Sequence, residues 1–169
     1  MIHRFATRMT LAFMAAAVLA ALPAKAQSVD ESPFCNNHLI RGTYGFTVDG
    51  YKVAVTPAPN DPLVGPQEGV AMTTFDGNGN LVQIDAITFN GVPASDFTHP
   101  VATGTYQVNR DCTGTFTVNF TDGRPPINTS FVVVEGGLEI DTVVMSVGPA
   151  GAPKTGIIAT RSIGKRRFF

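Results

Sequence analysis

The sequence predicts an all-β fold, most simply an antiparallel barrel of about eight strands, and three observations support this. Apolar and polar residues alternate in several segments, as in strands that bury one face and solvate the other. Clusters of glycine, asparagine and aspartate separate these segments and are typical of hairpin turns. Beyond residue 26, no long stretch repeats its apolar residues every three or four positions, as an amphipathic helix would.

The N-terminal segment predicts export. Arg4 and Arg8 precede an apolar run over residues 11–22, and residues 24–26 (Ala-Lys-Ala) match a small-x-small cleavage site. The apolar run is shorter than the ~20 residues that a helix needs to cross a bilayer, so a cleaved signal peptide is favoured over a retained anchor. We expect residues 27–169 to form a single domain in the periplasm or outside the cell.

Size and charge limit the possible classes of protein. The predicted mature chain is long enough for one domain with a core. Residues 27–160 carry 5 Lys and Arg against 13 Asp and Glu, a net charge of −8. We therefore expect no nucleic acid as partner, because that binding depends on neutralising phosphates. The other four Lys and Arg of the predicted mature chain predict a basic, frayed C-terminal tail, with contact to an anionic surface as the alternative: Arg161, Lys165, Arg166 and Arg167.

The chain contains two cysteines, Cys35 and Cys112. In an oxidising compartment two cysteines predict one disulfide bond. Closing a loop of about 77 residues would stabilise the fold by roughly 4 kcal/mol in the chain-entropy model. A reactive thiol is the alternative, and it would need one of the two mature histidines, His38 or His99, as its activating base.

The first strands are predicted in order along the chain. A short helical or irregular lead-in over residues 28–39 precedes a strand in which Tyr44, Phe46 and Val48 alternate with polar residues. Two strands, near 68–75 and 81–90, are joined by Asp-Gly-Asn-Gly-Asn, a hairpin turn whose Gly and Asn residues accept positive φ. This turn is rich in oxygen ligands, but it lacks the glutamate of a helix-flanked calcium loop.

The remaining strands are expected near 101–108, 115–121, 129–134, 138–147 and 155–162. Two long loops are expected as well: residues 56–66 hold four of the twelve prolines, and residues 92–100 are irregular.

Eight antiparallel strands on consecutive hairpins close most simply into an up-and-down β-barrel, which removes exposed sheet edges. A two-sheet β-sandwich is the alternative. The interior of an eight-stranded barrel is either filled by side chains or holds one small ligand. The predicted outer faces carry Thr, Asn and Gln rather than an apolar band, which argues against insertion into a membrane.

Candidate site residues come from the expected inward faces. The aromatic candidates for lining a ligand are Tyr44, Phe46, Tyr106, Phe116 and Phe120.

The sequence does not determine whether the carboxylates of Asp85 and Glu139 point into the barrel or towards solvent. Asp85 shares a strand face with Leu81 and Ile87; if this face points inward, Asp85 is a buried acid and a potential general acid or base. If the other face points inward, Asp85 is an ordinary surface charge. Glu139, which shares a face with Asp141, poses the same alternative.

We predict no metal and no cofactor. His38 and His99 have no second histidine three or four residues away. The sequence also lacks a phosphate-binding loop, a nucleophile elbow and a dinucleotide-binding fingerprint.

Several segments carry a resemblance: residues 42–46 (Gly-Thr-Tyr-Gly-Phe), 75–80 (Phe-Asp-Gly-Asn-Gly-Asn), 104–106 (Gly-Thr-Tyr), 111–115 (Asp-Cys-Thr-Gly-Thr) and 131–140 (Phe-Val-Val-Val-Glu-Gly-Gly-Leu-Glu-Ile). On these segments the mature chain resembles a group of small exported bacterial proteins without assigned function. Its layout is also similar to allene oxide cyclase-like and lipocalin-like barrels, in architecture alone and without a matched catalytic motif. The resemblance thus implies a fold and carries over no catalytic residue.

Three functions are compatible with these observations. The first is binding of a small apolar or amphipathic molecule in the mouth of the barrel. The second is a cofactor-free cyclase or isomerase that uses the barrel as a dry mould, with Asp85 or Glu139 as its polar group. The third is an extracellular structural or adhesive module, which would expose an apolar patch. If both carboxylates lie on the outer wall, the enzyme hypothesis fails.

Overall fold

A computed structural model describes residues 34–53, 63–98, 102–149 and 158–168. The predicted signal peptide lies outside these residues, as does most of the proline-rich loop. In the described part, nine strands and two short 3-10 helices follow one another along the chain. The helices span Asn37–Ile40 and Glu135–Gly137. None of the described helices is long and apolar enough to cross a membrane.

The strands are numbered in chain order: β1 (Gly42–Lys52), β2 (Gly65–Phe75), β3 (Asn80–Phe89), β4 (Val92–Ser95), β5 (Ala102–Val108), β6 (Thr113–Asn119), β7 (Ile127–Val134), β8 (Glu139–Val147) and β9 (Ile158–Arg166). Leaving β4 aside, every strand pairs antiparallel with the next one, and β9 pairs with β1. The result is a closed eight-stranded up-and-down barrel with one extra strand. The predicted fold class is confirmed, and the sandwich is not formed.

Side chains alternate across the wall as the sequence predicts. In β6, Phe116 and Val118 are buried while Thr115 and Asn119 are exposed. In β1, Tyr44 and Phe46 point into the barrel. An alternating strand folds this way because successive side chains leave the sheet on opposite sides.

The extra strand β4 lies where an irregular loop was expected. Asn90 and Gly91 form its turn, with φ values of +50° and +77°. Positive φ at both central residues is the mark of the type I′ turn that suits a tight hairpin. Val92–Ser95 then returns along the end of β3.

The last strand ends later than expected, and the basic segment is not a frayed tail. β9 runs to Arg166, so Arg161, Lys165 and Arg166 belong to the barrel wall. The alternation of apolar and polar residues does not indicate the full length of this strand. Its inward positions include Ser162 and Gly164, whereas Ile163 points outward with 44% of its surface exposed.

The two ends of the barrel differ. We call the end with the short turns at 76–79, 109–112 and 135–138 the turn end, and the opposite end, with the longer connections, the loop end. The 3-10 helix Asn37–Ile40 closes the turn end, where Ile40 is completely buried. The Asn37 side chain accepts a hydrogen bond from the backbone N–H of Val108 at 2.8 Å.

A disulfide joins this lead-in to the β5–β6 turn. Cys35 and Cys112 are bonded, with their Cα atoms 5.0 Å apart. The predicted pairing is confirmed, and the alternative of a reactive thiol is contradicted. The bond holds in place a segment that precedes the first strand, where chain ends otherwise fray.

Candidate functional site

The loop-end half of the barrel contains a cavity of about 450 Å³. Most of the described side chains around it are apolar, and the rest of those described are hydroxyls, amides and three charged groups. The lining residues are Phe46, Val48, Lys52, Leu63, Gln67, Ala71, Gln83, Asp85, Ile87, Phe89, Ala94, Phe116, Val118, Phe120, Arg124, Pro125, Ile127, Thr129, Thr142, Val144, Val147, Ile158, Thr160 and Ser162.

Aromatic rings bound the cavity on the side that faces the turn end. Phe46 and Phe116 line it. Each lies next to a ring of the aromatic cluster in the turn-end half, which comprises Tyr44, Phe75 and Tyr106. The centroids of Phe46 and Tyr44 are 6.4 Å apart, and those of Phe116 and Phe75 are 6.3 Å apart. These separations are typical of packed aromatic pairs. The cluster fills the turn-end half, which leaves the free space of the interior at the loop end.

Asp85 faces into the cavity. On β3 the side chains of Leu81, Asp85 and Ile87 are buried, whereas Val82 is 47% exposed. Of the two alternatives that the sequence left open, the structure therefore shows the inward one. The Asp85 carboxylate accepts hydrogen bonds from Nε2 of Gln83 and from Nη1 of Arg124, both at 3.3 Å.

Arg124 is the site residue that the sequence analysis missed. It belongs to the connection between β6 and β7, and it reaches the cavity beside β3. Its Nε donates to Asp122 at 2.7 Å, and its guanidinium lies 3.9 Å from the ring centroid of Phe120. Ion pairing and cation–π contact therefore fix the guanidinium from two sides. A loop residue has no strand period, so alternation could not have found it.

A second polar pair crosses the inner wall at β1. The Oγ1 of Thr160 donates to Oε1 of Gln67 at 2.5 Å, and Gly50 lies between them in the register. A Cβ at Gly50 would lie 2.6 Å from the Thr160 hydroxyl, so a side chain there would displace this pair. The glycine thus allows two polar groups to satisfy each other on a mainly apolar surface.

Glu139 is not a cavity residue. On β8, Ile140 and Thr142 are buried and point inward, so Glu139 lies on the outer wall. Its carboxylate is 3.4 Å from the ammonium of Lys165. The inward orientation considered for Glu139 is wrong because the other face of β8, which carries Ile140 and Thr142, supplies the buried positions.

Tyr44 and Tyr106 lie in the turn-end half, outside the cavity. The Tyr44 hydroxyl donates to the carbonyl of Gly137 and accepts from Nε of Arg166 at 3.1 Å. The Tyr106 hydroxyl accepts from the N–H of Gly77 at 2.8 Å. Burial raises the pKa of both hydroxyls. Their partners belong to the protein, so these hydroxyls hold turns rather than a ligand.

Of the seven predicted lining residues, four border the cavity: Phe46, Asp85, Phe116 and Phe120. Together with Arg124 they form a mainly apolar chamber that carries the Asp85–Arg124 ion pair on its wall. In the described residues no group of three or more His, Cys, Asp or Glu side chains could hold a metal ion. The arrangement can enclose an apolar molecule and orient it by a polar group. Comparisons with family models, curated proteins and solved structures found no match for the chain.

Proposed function

We propose that this protein is an exported β-barrel that binds one small apolar or amphipathic molecule in its loop-end cavity. The observation that carries this proposal is the cavity of about 450 Å³ inside the barrel. Small-molecule sites commonly have volumes of roughly 300–1,000 Å³ and apolar walls with a few placed polar groups. Here Phe46 and Phe116 provide the apolar surface, and Asp85 with Arg124 provides the polar one.

Burial of apolar surface would supply the affinity. Removing apolar area from water contributes about 25 cal/mol per Å². The polar lining groups add little desolvation penalty, since Thr160 pairs with Gln67 and the Thr142 hydroxyl lies 2.6 Å from that of Ser162. Paired hydroxyls and amides do not need water that a ligand would have to replace.

Two features support the part of the proposal that concerns export. The chain begins with a segment of signal-peptide pattern, and Cys35 and Cys112 form a disulfide. Disulfides persist in oxidising compartments and are rare in the cytosol. Fractionation of expressing cells tests this part: the protein is expected outside the cytoplasm, with its N-terminus near Gln27.

Binding is tested with N-phenylnaphthylamine, a neutral apolar dye whose fluorescence rises on transfer from water to an apolar site. The purified protein should bind the dye with one saturable site. Ala71→Phe places a ring in the cavity and should abolish the signal. Ala159→Phe is the matched control, because Ala159 is exposed on the outer wall. Circular dichroism on both variants verifies that the fold is intact.

A fluorescence signal that survives Ala71→Phe in a folded protein would contradict the proposal. So would an experimental structure in which the protein's own side chains fill the cavity.

A cyclase or isomerase is the second candidate, because Asp85 is 7% exposed and faces the cavity. A cavity that holds a flexible substrate in its reactive conformation beside one polar group needs few catalytic residues, since proximity and orientation supply most of the rate acceleration. Molecules recovered from the protein after incubation distinguish the two functions. A binding protein returns them unchanged, whereas an enzyme rearranges them and loses this activity in Asp85→Asn.

A further inference from the structure

We propose that the ligand of the cavity is an amphipathic anion, such as a fatty carboxylate. Its charged head would lie at the loop end between Lys52 and Arg124, and its apolar part would fill the cavity. This inference rests on the proposed binding function and specifies the class of ligand.

The first argument is the distribution of charge. Between residues 34 and 149 the structure describes four Lys and Arg side chains and ten Asp and Glu side chains. Two of these four cations, Lys52 and Arg124, line the cavity, against one of the ten acids, Asp85. The described part of the lining therefore has a formal charge of +1, although acids outnumber cations among the described residues of this range. An apolar ligand without charge would need no such distribution.

The second argument is that both cations reach the same inner surface. Asp85 and Phe89 lie on the inward side of β3, four residues apart, which is about 13 Å along a strand. The ammonium of Lys52 lies 5.6 Å from the centroid of the Phe89 ring, and Nη1 of Arg124 lies 3.3 Å from Asp85. Lys52 comes from β1 and Arg124 from the β6–β7 connection, so the two charges flank this surface from opposite sides.

The third argument is the preorganisation of Arg124. Asp85 engages Nη1 and Asp122 engages Nε, and Nη2 has no hydrogen-bond partner among the described residues. A guanidinium fixed in this way presents its remaining N–H groups in one orientation. Carboxylates and related anions match that geometry, and charge-assisted hydrogen bonds are stronger than neutral ones. Asp85 and Asp122 are thus positioning residues for Arg124.

Competition between two ligands of equal chain length tests the inference. Decanoate and decanol are each titrated against N-phenylnaphthylamine bound to the purified protein at neutral pH, and the quantity measured is the ratio of their affinities. Lys52→Gln and Arg124→Gln should each lower the ratio of decanoate to decanol affinity by about tenfold, the usual effect of one charged hydrogen bond. Lys165→Gln removes an outer-wall cation and should leave the ratio unchanged.

Each outcome bears on the inference. A ratio that stays the same in Lys52→Gln and Arg124→Gln would overturn it, as would an equal decrease in Lys165→Gln. Displacement of the dye by decanol but not by decanoate would also overturn it while leaving the proposed function standing. Absence of dye binding would instead show that the proposed function itself fails. A ratio that also decreases at high salt in the unchanged protein supports the inference, because salt screens partly exposed charges.

Discussion

Two aromatic rings inside the barrel lie directly over glycines of the neighbouring strand. Phe46 on β1 is opposite Gly164 on β9, and Phe131 on β7 is opposite Gly114 on β6. A Cβ at Gly164 would lie 2.3 Å from Cε1 of Phe46, and one at Gly114 would lie 2.2 Å from Cζ of Phe131. Both glycines therefore provide the space in which the rings lie against the wall. Because Phe46 borders the cavity, Gly164 also affects the shape of the cavity.

Gly164→Ala should lower the free energy of unfolding by about 1–3 kcal/mol, the usual cost of an extra methyl group in a packed interior. Gly45→Ala, in β1, is the matched control, because the nearest atom to its Cβ would be Cδ of Arg167 at 3.8 Å. Urea denaturation measures both. Phe46→Leu added to Gly164→Ala should restore part of the loss. Equal effects at the two glycines would show that strand propensity, rather than contact with Phe46, determines the cost.

Asp76 makes the β2–β3 turn sensitive to acid. Its Oδ2 accepts from the side-chain amide of Asn80 at 2.7 Å, and its Oδ1 accepts from the backbone N–H groups of Asn78 at 2.7 Å and Asn80 at 3.0 Å. The Asn80 amide and these backbone donors lower the pKa of Asp76 from 3.8 to about 2.

Since the pKa of Asp76 is lower in the folded state than in the unfolded one, its carboxylate stabilises the protein above pH 3.8. This contribution should be lost as the pH falls from 3.8 to about 2. Titration by NMR should give the low pKa in the unchanged protein and a higher value in Asn80→Ala, which removes the main donor. The same low pKa in both proteins would exclude the amide as its cause.

At the scale of the element, β9 both closes the barrel and anchors its turn end. Arg166 on this strand donates to the hydroxyl of Tyr44 at 3.1 Å and to the carbonyls of Leu39 at 2.6 Å and Arg41 at 3.0 Å. The side chain of neighbouring Lys165 is 76% exposed and forms an ion pair with Glu139, the single one it has among the described residues. The last residues of the strand thus differ sharply in their contacts although both are basic.

Arg166→Met should therefore lower the free energy of unfolding by about 2 kcal/mol, because it leaves the part-buried acceptors of Tyr44 and Leu39 without their charged donor. Lys165→Met should change it by less than about 0.5 kcal/mol, as is usual for an exposed ion pair. Thermal and urea denaturation of the two variants give the comparison. A similar loss in both would mean that charge along β9, rather than the contacts of Arg166, stabilises the closure.

Alternation predicted the strands whose inward residues are large and apolar. Tyr44 and Phe46 in β1, and Phe116 and Val118 in β6, carry the pattern clearly. The pattern fails in β9, where Thr160, Ser162 and Gly164 point inward, because small inward residues make room for neighbours from other strands. It also missed β4, whose pairing with β3 depends on a local turn rather than on a buried face.

The site was predictable to a similar degree. The sequence identified aromatic residues on inward faces. Whether such a residue lies at the turn end, as Tyr44 and Tyr106 do, or borders the cavity, as Phe46 and Phe116 do, depends on the direction of its strand and its position along it. The facing of Asp85 required the register of β3. Arg124 lies in a connection, and its position depends on contacts with residues distant in sequence.

At the scale of the whole molecule, the packed interior and the cavity proposed for binding lie at opposite ends of the barrel. The turn end contains the disulfide, the 3-10 helix Asn37–Ile40 and the packed aromatic cluster. In that cluster, the ring of Phe75 contacts those of Tyr44 and Tyr106 edge to face, with centroids 5.6 Å and 4.9 Å apart. The loop end contains the cavity and the charged groups around it. Substitutions at the two ends should consequently have different effects.

Phe75→Ala and Phe89→Ala make the comparison with the same change of side chain. Phe75 is 1% exposed at the centre of the aromatic cluster, so its removal should lower the free energy of unfolding by about 3–5 kcal/mol. Because it does not line the cavity, the affinity for N-phenylnaphthylamine should change by less than about twofold. Phe89 is half-buried and borders space that already exists, so its removal should cost about 1 kcal/mol of stability and change the dye affinity severalfold. Urea denaturation and dye titration at a temperature where both variants are folded measure the two quantities; Phe75→Leu replaces the alanine variant if that one does not fold. If dye affinity changes equally at both positions, the cavity and the aromatic cluster form one coupled interior, and the division of the barrel into a stabilising end and a binding end is wrong.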